Sequence, residues 1–337
     1  MQTLIEAEDK PLGVIESLQQ GFNFLNRHLW FLIPPVLLDL FLWLSPRVTT
    51  GPLVNQLVAW FEAQQANVQD DLAQNIEVSL AFMRQLGETY SLLSLLAGLL
   101  TRIPSLMARI EFQAIPSPMG GVIALDNVQT VGILVAVLIP IGVALGSFWL
   151  TMVAFGLLHR PLFSFAFVRR WGWVWLNVNL FLLAIFLAAL GMSFVMSMFA
   201  VITLMFGNAG LMLYSIASIL LFGFIIWLGI GLYFVVFAVA LDGVNLARAV
   251  WRSLNVVGRN AISTLGFLLL TFLLTEGFAR IWSWLSIRDW GVVVSIFGHA
   301  YLGVAIVAAS FLFYQSRYQH WRKIRALVMV SQSDESH

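Results

Sequence analysis

The sequence predicts an all-α, polytopic integral membrane protein with about six transmembrane helices. Residues 171–241 contain no Asp, Glu, Lys, Arg or His, and this run of 71 residues is long enough for two spans. The whole chain is 60% hydrophobic and 10% charged, with a mean hydropathy of +0.88, a composition typical of membrane proteins. Its basic residues cluster between the apolar stretches, as they do in loops that stay in the cytoplasm.

Residues 1–28 predict a cytoplasmic N-terminal segment that ends in an amphipathic helix. Four polar residues recur at i, i+4, i+7 and i+11, which places them on one narrow helical face. They are Glu16, Gln20, Asn23 and Arg27. The first span follows at 29–44. It is short, it carries Asp39, and its adjacent prolines, Pro34 and Pro35, favour a kink.

Residues 45–127 predict a helical extracytoplasmic insertion. Two segments, 53–69 and 71–86, are polar and rich in helix-forming residues. The uncharged run 90–100 is too short to span a membrane. We therefore expect it to lie on the membrane surface or against the helical bundle.

Residues 128–313 predict a bundle of five further spans, followed by a basic cytoplasmic tail at 314–337. The first of the five, at about 131–158, carries Gly142 and Gly146, a spacing that lets another helix approach closely. The last two are predicted at about 261–284 and 292–313.

The uncharged stretch predicts a helical hairpin with arms at 173–206 and 211–240. At 1.5 Å per residue each arm is about 45 to 50 Å long, which exceeds a hydrocarbon core of roughly 30 Å. Each arm must therefore tilt, protrude, or bend near Gly191 and Gly223.

The charge distribution predicts that both termini are cytoplasmic. With six spans, the termini share a side with the loop at 159–170 and the helix at 242–260. Together these segments hold 12 of the 18 Lys and Arg residues, so the positive-inside rule places them in the cytoplasm. The chain has 16 Arg against 2 Lys, a bias that hints at a GC-rich prokaryotic genome. We expect a multi-pass protein of a bacterial inner membrane.

A second amphipathic helix is predicted at 242–260, and its polar face repeats that of the first. Arg248, Arg252, Asn255 and Arg259 have the spacing of the four N-terminal polar residues at a constant offset of 232. Each helix leads into a span, which suggests a parallel internal repeat; alternatively, any two amphipathic helices share this period. The three arginines predict contact with anionic lipid head groups or with a cytoplasmic partner.

This second helix also carries a family resemblance. The segment LARAVWRSLNVVGRN at 246–260 enters an apolar helix and resembles the recurring element of bacterial proteins grouped with the glycerophosphodiester phosphodiesterase membrane domain. The resemblance covers the last third of the chain, with a fainter echo at 12–38. It implies a membrane domain that is itself non-catalytic. No attached soluble phosphodiesterase domain is recognisable, so the resemblance implies a fold type and no activity.

Four ionisable residues inside the predicted spans are candidate functional residues. A charged side chain at the centre of a span costs about 2.5 to 3.5 kcal/mol on insertion scales. Glu276 and Arg280 are four residues apart, in the favourable order for an ion pair, and Asp39 is expected to join them. Such a cluster either fixes helix register or forms a proton or ion relay. His299 is a candidate haem or pigment ligand, or else hydrogen-bonds to a neighbour.

The sequence contains no motif that predicts an enzyme. The metalloprotease, P-loop, hydrolase and dinucleotide-binding patterns are missing, cysteine is absent, and the histidines lack metal-ligand spacing. We expect a non-enzymatic protein without cofactor or metal, whose partners are the lipid bilayer, anionic lipid head groups and other membrane-protein subunits. A net charge of +1 argues against nucleic acid.

The leading functional hypothesis is an accessory or scaffold subunit of a membrane complex, or a lipid-organising protein. Its basis is the uncharged hairpin, because a helix that is apolar all round faces either lipid or another subunit. The alternative is a transporter or permease component that couples to a soluble ATPase through the cytoplasmic helix at 242–260.

Overall fold

The computed structural model describes residues 10–64, 70–101, 103–112, 115, 118, 121–162, 164–287 and 289–334. The first nine residues of the predicted N-terminal segment and the last three of the predicted tail lie outside this range. The described residues are mainly helical, and their only strands have three residues each. The predicted all-α fold class is confirmed.

The secondary structure elements follow one another along the chain in two groups. The first comprises α1 (Val14–Arg27), α2 (Ile33–Leu44), β1 (Arg47–Thr49), α3 (Gly51–Gln64), α4 (Asp70–Thr89) and β2 (Val122–Ala124). The second comprises α5 (Val128–Leu157), α6 (Phe165–Leu204), α7 (Gly207–Gly231), α8 (Val235–Asp242), α9 (Leu246–Arg259), α10 (Ala261–Leu285) and α11 (Asp289–Asp334). Short 3₁₀ helices occur at Leu29–Leu32, Leu92–Ala97 and Ile110–Phe112.

Within the described residues, five segments are long and apolar enough to cross a membrane, which makes this a multi-pass membrane protein. They are α5, α6, Gly207–Asp242, α10 and Trp290–Arg325. A sixth candidate is the pair Val14–Arg27 and Leu29–Leu44, which is bent by 97°. Pro34 and Pro35 were expected to kink the first span, but they lie in the first turn of α2. Backbone N–H groups there have no helical partner, so these prolines disrupt nothing.

The chain divides into two compact units. The first contains Leu150–Phe272, together with the chain up to Asn26 and from Ala305 onward. The second contains Arg27–Trp149 and Leu273–Val304. The helices α5, α10 and α11 each contribute residues to both units.

In the second unit, a small parallel sheet joins the two ends of the predicted insertion. β1 pairs with β2 in the register Arg47↔Val122, Val48↔Ile123 and Thr49↔Ala124. The helices α3 and α4 pack against each other beside it. The sequence did not predict these strands, because three residues are too few to display the period-2 alternation of a strand.

Also in the second unit, an irregular segment packs tightly against the middle of two candidate spans. Three glycines face it: Gly142 and Gly146 on α5, and Gly303 on α11. A Cβ atom at these positions would collide with Leu95, Thr101 and Pro104, respectively. The Gly142 and Gly146 pair therefore accommodates a 3₁₀ helix and the turn after it, and the partner is not the α-helix that the spacing suggested. Of the two placements expected for 90–100, the structure has the one against the bundle.

In the first unit, α6 and α7 form the hairpin that the uncharged stretch predicts. α6 has 40 residues, about 60 Å at 1.5 Å per residue, and runs without interruption through Gly191. The second arm is interrupted, but at 232–234 and not at Gly223. The Ser253 hydroxyl donates a 2.6 Å hydrogen bond to the Gly231 carbonyl and accepts a 3.1 Å bond from the Phe234 amide. It thus satisfies backbone groups that the break leaves without helical partners.

The two helices with repeated polar spacing, α1 and α9, also match in structure. Each has 14 residues, and the bounds of α9 are those of α1 shifted by 232. Ser17, Gly21 and Leu25 of α1 are buried, as are their equivalents Ala249, Ser253 and Val257 of α9. The equal bounds agree with an internal repeat, but buried positions four residues apart also follow from the helical period that any two amphipathic helices share, so the internal repeat stays a prediction.

Candidate anion-binding site

The helix α9 is fixed at its start and along one face. The Asn245 side chain accepts a 3.1 Å hydrogen bond from the Arg248 amide, which caps the helix N-terminus. Ala249, Ser253 and Val256 are buried. Because these positions recur at three to four residues, the arginines between them lie on the opposite, open face.

The open face of α9 lines a cavity of about 440 Å³ together with the C-terminal part of α11. We call it the α9 pocket. Its lining residues are Arg248, Trp251, Arg252, Asn255, Tyr318, Trp321, Arg322 and Arg325. Three of the four residues predicted for the lipid or partner face are therefore in one cavity. The fourth, Arg259, lies at its edge with its guanidinium 5.3 Å from the Trp321 ring centroid.

One arginine of the α9 pocket is held by a carboxylate. Arg252 donates a 2.5 Å hydrogen bond to Asp242, which also accepts a 2.8 Å bond from the Tyr314 hydroxyl. Burial lowers the pKa of the Arg252 guanidinium, but the Asp242 carboxylate more than compensates, so this pKa ends above its ordinary value. Arg252 thus remains charged, and its stacking 4.5 Å from the Tyr318 ring centroid fixes its orientation.

Among the described residues, the other arginines of the α9 pocket have no carboxylate partner. Arg248, Arg322 and Arg325 form no ion pair with any residue that the structure describes. Arg325 lies 5.7 Å from the Trp321 ring centroid. The cavity therefore presents several guanidinium groups against aromatic walls, an arrangement suited to bind phosphate or carboxylate groups.

Asp39, the buried acid of the first predicted span, does not join Glu276 and Arg280. It is fully buried, and its carboxylate accepts hydrogen bonds from the Ser105 hydroxyl at 2.5 Å, the Leu106 amide at 2.8 Å and the Met107 amide at 3.1 Å. Among the described residues no hydrogen bond or ion pair links Asp39, Glu276 and Arg280, so the expected cluster is not formed by direct bonds. Asp39 instead anchors the irregular segment that packs against α5 and α11, because that backbone has no helical partners for its amides.

Glu276 forms an ion pair, but with a different arginine from the expected one. Its carboxylate lies 2.7 Å from the Arg109 guanidinium, which is also 3.6 Å from Glu111. Arg280 is exposed and, within the described part of the chain, forms no ion pair. The expected pair between Glu276 and Arg280 is not formed, because Glu276 pairs with Arg109 instead. Arg109 lies in a segment that no helical spacing connects to α10, so the sequence did not indicate this pair.

His299 is buried, with 5% of its surface exposed, and lies within electrostatic range of Arg109 and Glu276. Its Nδ1 atom has no hydrogen-bond partner among the described residues. Those residues also contain no group of three or more His, Asp or Glu side chains that could hold a metal ion. Haem or pigment ligation by His299 remains a prediction.

No family model, curated protein or solved structure matches this chain. The resemblance to the glycerophosphodiester phosphodiesterase membrane domain therefore stays a prediction.

Half of the α9 pocket was not predicted from the sequence. Tyr318, Trp321, Arg322 and Arg325 belonged to the expected tail, but α11 extends to Asp334 and presents them opposite α9. The spacing of Tyr318, Trp321, Arg322 and Arg325 at i, i+3, i+4 and i+7 is a helical-face pattern that indicates this surface. No comparable signal exists for Arg109, which pairs across 167 residues of sequence.

Proposed function

We propose that this protein is a non-enzymatic, multi-pass protein of a bacterial inner membrane that binds anionic phospholipid head groups in the α9 pocket. The observation that carries the proposal is the convergence of four arginines and three aromatic side chains on one cavity, with Asp242 already engaged by Arg252 and Tyr314. A phosphate group bound there would be met by guanidinium forks and would neutralise the excess positive charge.

The position of α9 supports a lipid as the source of that phosphate. α9 is an amphipathic helix that leads directly into the candidate span α10 at Ala261. Trp251 is 67% exposed and lies next to Arg252, so an amphipathic aromatic ring and a cation face the same region. Trp and Arg side chains are typical of the zone where lipid head groups meet water. By the positive-inside rule, this face and both termini are cytoplasmic.

The test is native mass spectrometry of the full-length protein in mild detergent, titrated with phosphatidylglycerol or phosphatidylcholine. The variant Arg248→Gln/Arg322→Gln removes two arginines that make no ion pair with described residues and spares Arg252, which is tied to Asp242. Each basic residue near an anionic lipid contributes about 1 kcal/mol, so we expect phosphatidylglycerol to bind about 30-fold more weakly.

The matched control is Arg280→Gln, which removes an exposed arginine from α10. It should leave phosphatidylglycerol binding unchanged. Equal binding of the two lipids by the wild type, or equal affinity in wild type and double variant, would contradict the proposal.

A second candidate function is that of an accessory or scaffold subunit. It is favoured by the α6–α7 hairpin, because only 6% of the most apolar window of α6 is buried within the chain. Such a surface faces either acyl chains or another membrane helix. Mild-detergent purification separates the possibilities: a stoichiometric integral partner supports the scaffold, and a stoichiometric ATPase supports the transporter component coupled through 242–260.

A further inference from the structure

The basic loop ahead of the uncharged hairpin forms a second cavity in the first unit. This α6 pocket has a volume of about 430 Å³, and three of its lining residues are Arg160, Arg169 and Arg170. Its walls also include Phe155, Trp173 and Leu176. It shares no lining residue with the α9 pocket.

The pocket is built on a well-defined helix start. The Ser164 hydroxyl accepts a 3.2 Å hydrogen bond from the Phe167 amide, which caps α6. Phe167 is buried and packs edge-to-face on Phe155, with ring centroids 5.4 Å apart. Arg169 and Arg170 follow within the next helical turn, so their positions are set by this anchor.

Arg170 and Trp173 are fixed by the last turn of α8 and the residues that follow it. Arg170 donates hydrogen bonds to the carbonyls of Ala240 and Leu241, at 3.4 and 3.3 Å. Gly243 adopts a φ of +68°, and a Cβ atom there would collide with the Arg170 guanidinium. The Trp173 indole donates a 3.2 Å bond to the Val244 carbonyl. One cation and one aromatic wall are therefore preorganised before any ligand arrives.

The charge in the α6 pocket is not balanced. Arg160 and Arg169 both repel Arg170 electrostatically, and among the described residues Asp242 is the carboxylate that attracts it. That carboxylate already accepts hydrogen bonds from Arg252 and Tyr314. Within the described residues none of the three arginines forms an ion pair. Three guanidinium groups that line one cavity without an ion-pair partner repel one another, and a bound anion would neutralise this repulsion.

The surface beyond the pocket indicates what that anion is attached to. Leu176 lines the pocket, and Leu180, Leu183 and Leu187 continue from it at helical spacing along α6. All four are 45 to 57% exposed. They form an apolar stripe that starts at the arginines and runs along a candidate span, which matches an acyl chain below a phosphate head group.

We propose that the α6 pocket binds the phosphate of an anionic phospholipid, with the acyl chain along the leucine stripe of α6. This site is separate from the α9 pocket, so either can be lost without the other. Free phosphate has the same charged group as the lipid, but it has no acyl chain to contact the leucine stripe and should bind more weakly.

The experiment is native mass spectrometry of the full-length protein titrated with phosphatidylglycerol, comparing Arg160→Gln/Arg169→Gln with the wild type and with Arg248→Gln/Arg322→Gln. The wild type is expected to hold two phosphatidylglycerol molecules. Each double variant should lose one of them, with a dissociation constant about 30-fold higher at the altered site. A protein that carries all four Arg→Gln substitutions should hold neither phosphatidylglycerol molecule.

Retention of both lipids by Arg160→Gln/Arg169→Gln would overturn the proposal while leaving the α9 pocket intact. If instead the α9 pocket binds no lipid, Arg248→Gln/Arg322→Gln would retain as many lipid molecules as the wild type. Inorganic phosphate and glycerol 3-phosphate are titrated as competitors. Displacement at concentrations equal to that of the lipid would assign the site to free phosphate and overturn the lipid assignment.

Both exchanged arginines are exposed, so the variants should fold. An unfolding midpoint equal to that of the wild type checks this. If the double variant does not fold, Arg169→Gln alone should raise the dissociation constant about fivefold, and an unchanged constant would refute the site.

Discussion

Replacing Asp39 with alanine should release the irregular segment that packs against α5 and α11. The carboxylate accepts three hydrogen bonds, from the Ser105 hydroxyl and from the amides of Leu106 and Met107. Its side chain is fully buried. Alanine removes all three acceptor contacts and leaves two backbone amides in a site that water does not reach.

The magnitude follows from the number of lost bonds. Each buried donor that loses its acceptor costs about 1 to 3 kcal/mol, and removing the buried carboxyl group offsets part of the sum. We therefore expect Asp39→Ala to destabilise this segment by about 3 to 5 kcal/mol. Asp39→Asn keeps one acceptor oxygen and should cost less. A loss of about 3 kcal/mol raises the population of the open segment by a factor of more than about 100.

The assay is limited trypsin digestion of the full-length protein in mild detergent, with cleavage after Arg109 quantified by mass spectrometry. The Arg109 side chain is 22% exposed, so cleavage requires local opening. The variant should be cleaved at least about 100 times faster when opening is rapid. The control is Asp126→Ala, which removes an exposed acid. Equal cleavage rates for Asp39→Ala and the wild type would refute the anchoring role.

Three further predictions concern packing and topology. Ser253→Ala should lower the free energy of unfolding by about 2 to 3 kcal/mol, because it removes both hydrogen bonds at the break in the second hairpin arm. A denaturant titration that shows no change would contradict this. Gly146→Val should cost about 1 to 3 kcal/mol in the same titration, since its side chain would enter the packed segment. Gly132→Val, which faces open space, is its control. Reporter fusions at residues 71 and 252 should locate these residues on opposite sides of the membrane. Finding both residues on the same side would exclude the six-span arrangement.

The helices were predictable from the sequence, since their signals are local. A run of apolar residues specifies a span, and the polar face of α9 is visible at 248, 252, 255 and 259 without any tertiary information. The break at 232–234 was not predictable. It depends on the Ser253 hydroxyl, which comes from a different helix.

The candidate sites were predictable only in part, because each is completed by distant residues. The arginines of α9 follow a visible helical spacing, but their aromatic walls come from the end of α11. Asp39 and Glu276 stood out as charges in spans, yet their partners Ser105 and Arg109 belong to an irregular segment. Sequence spacing relates residues within one helix and cannot show which loop packs between helices.

The most direct measurement of the central proposal is the lipid that accompanies the protein out of the membrane. Full-length wild type and Arg248→Gln/Arg322→Gln are extracted in mild detergent, and the bound phospholipids are compared with those of the whole membrane. Anionic phospholipid enriched with the wild type and reduced with the variant is the expected result. Bound lipid of the same composition as the membrane, in both proteins, would contradict it.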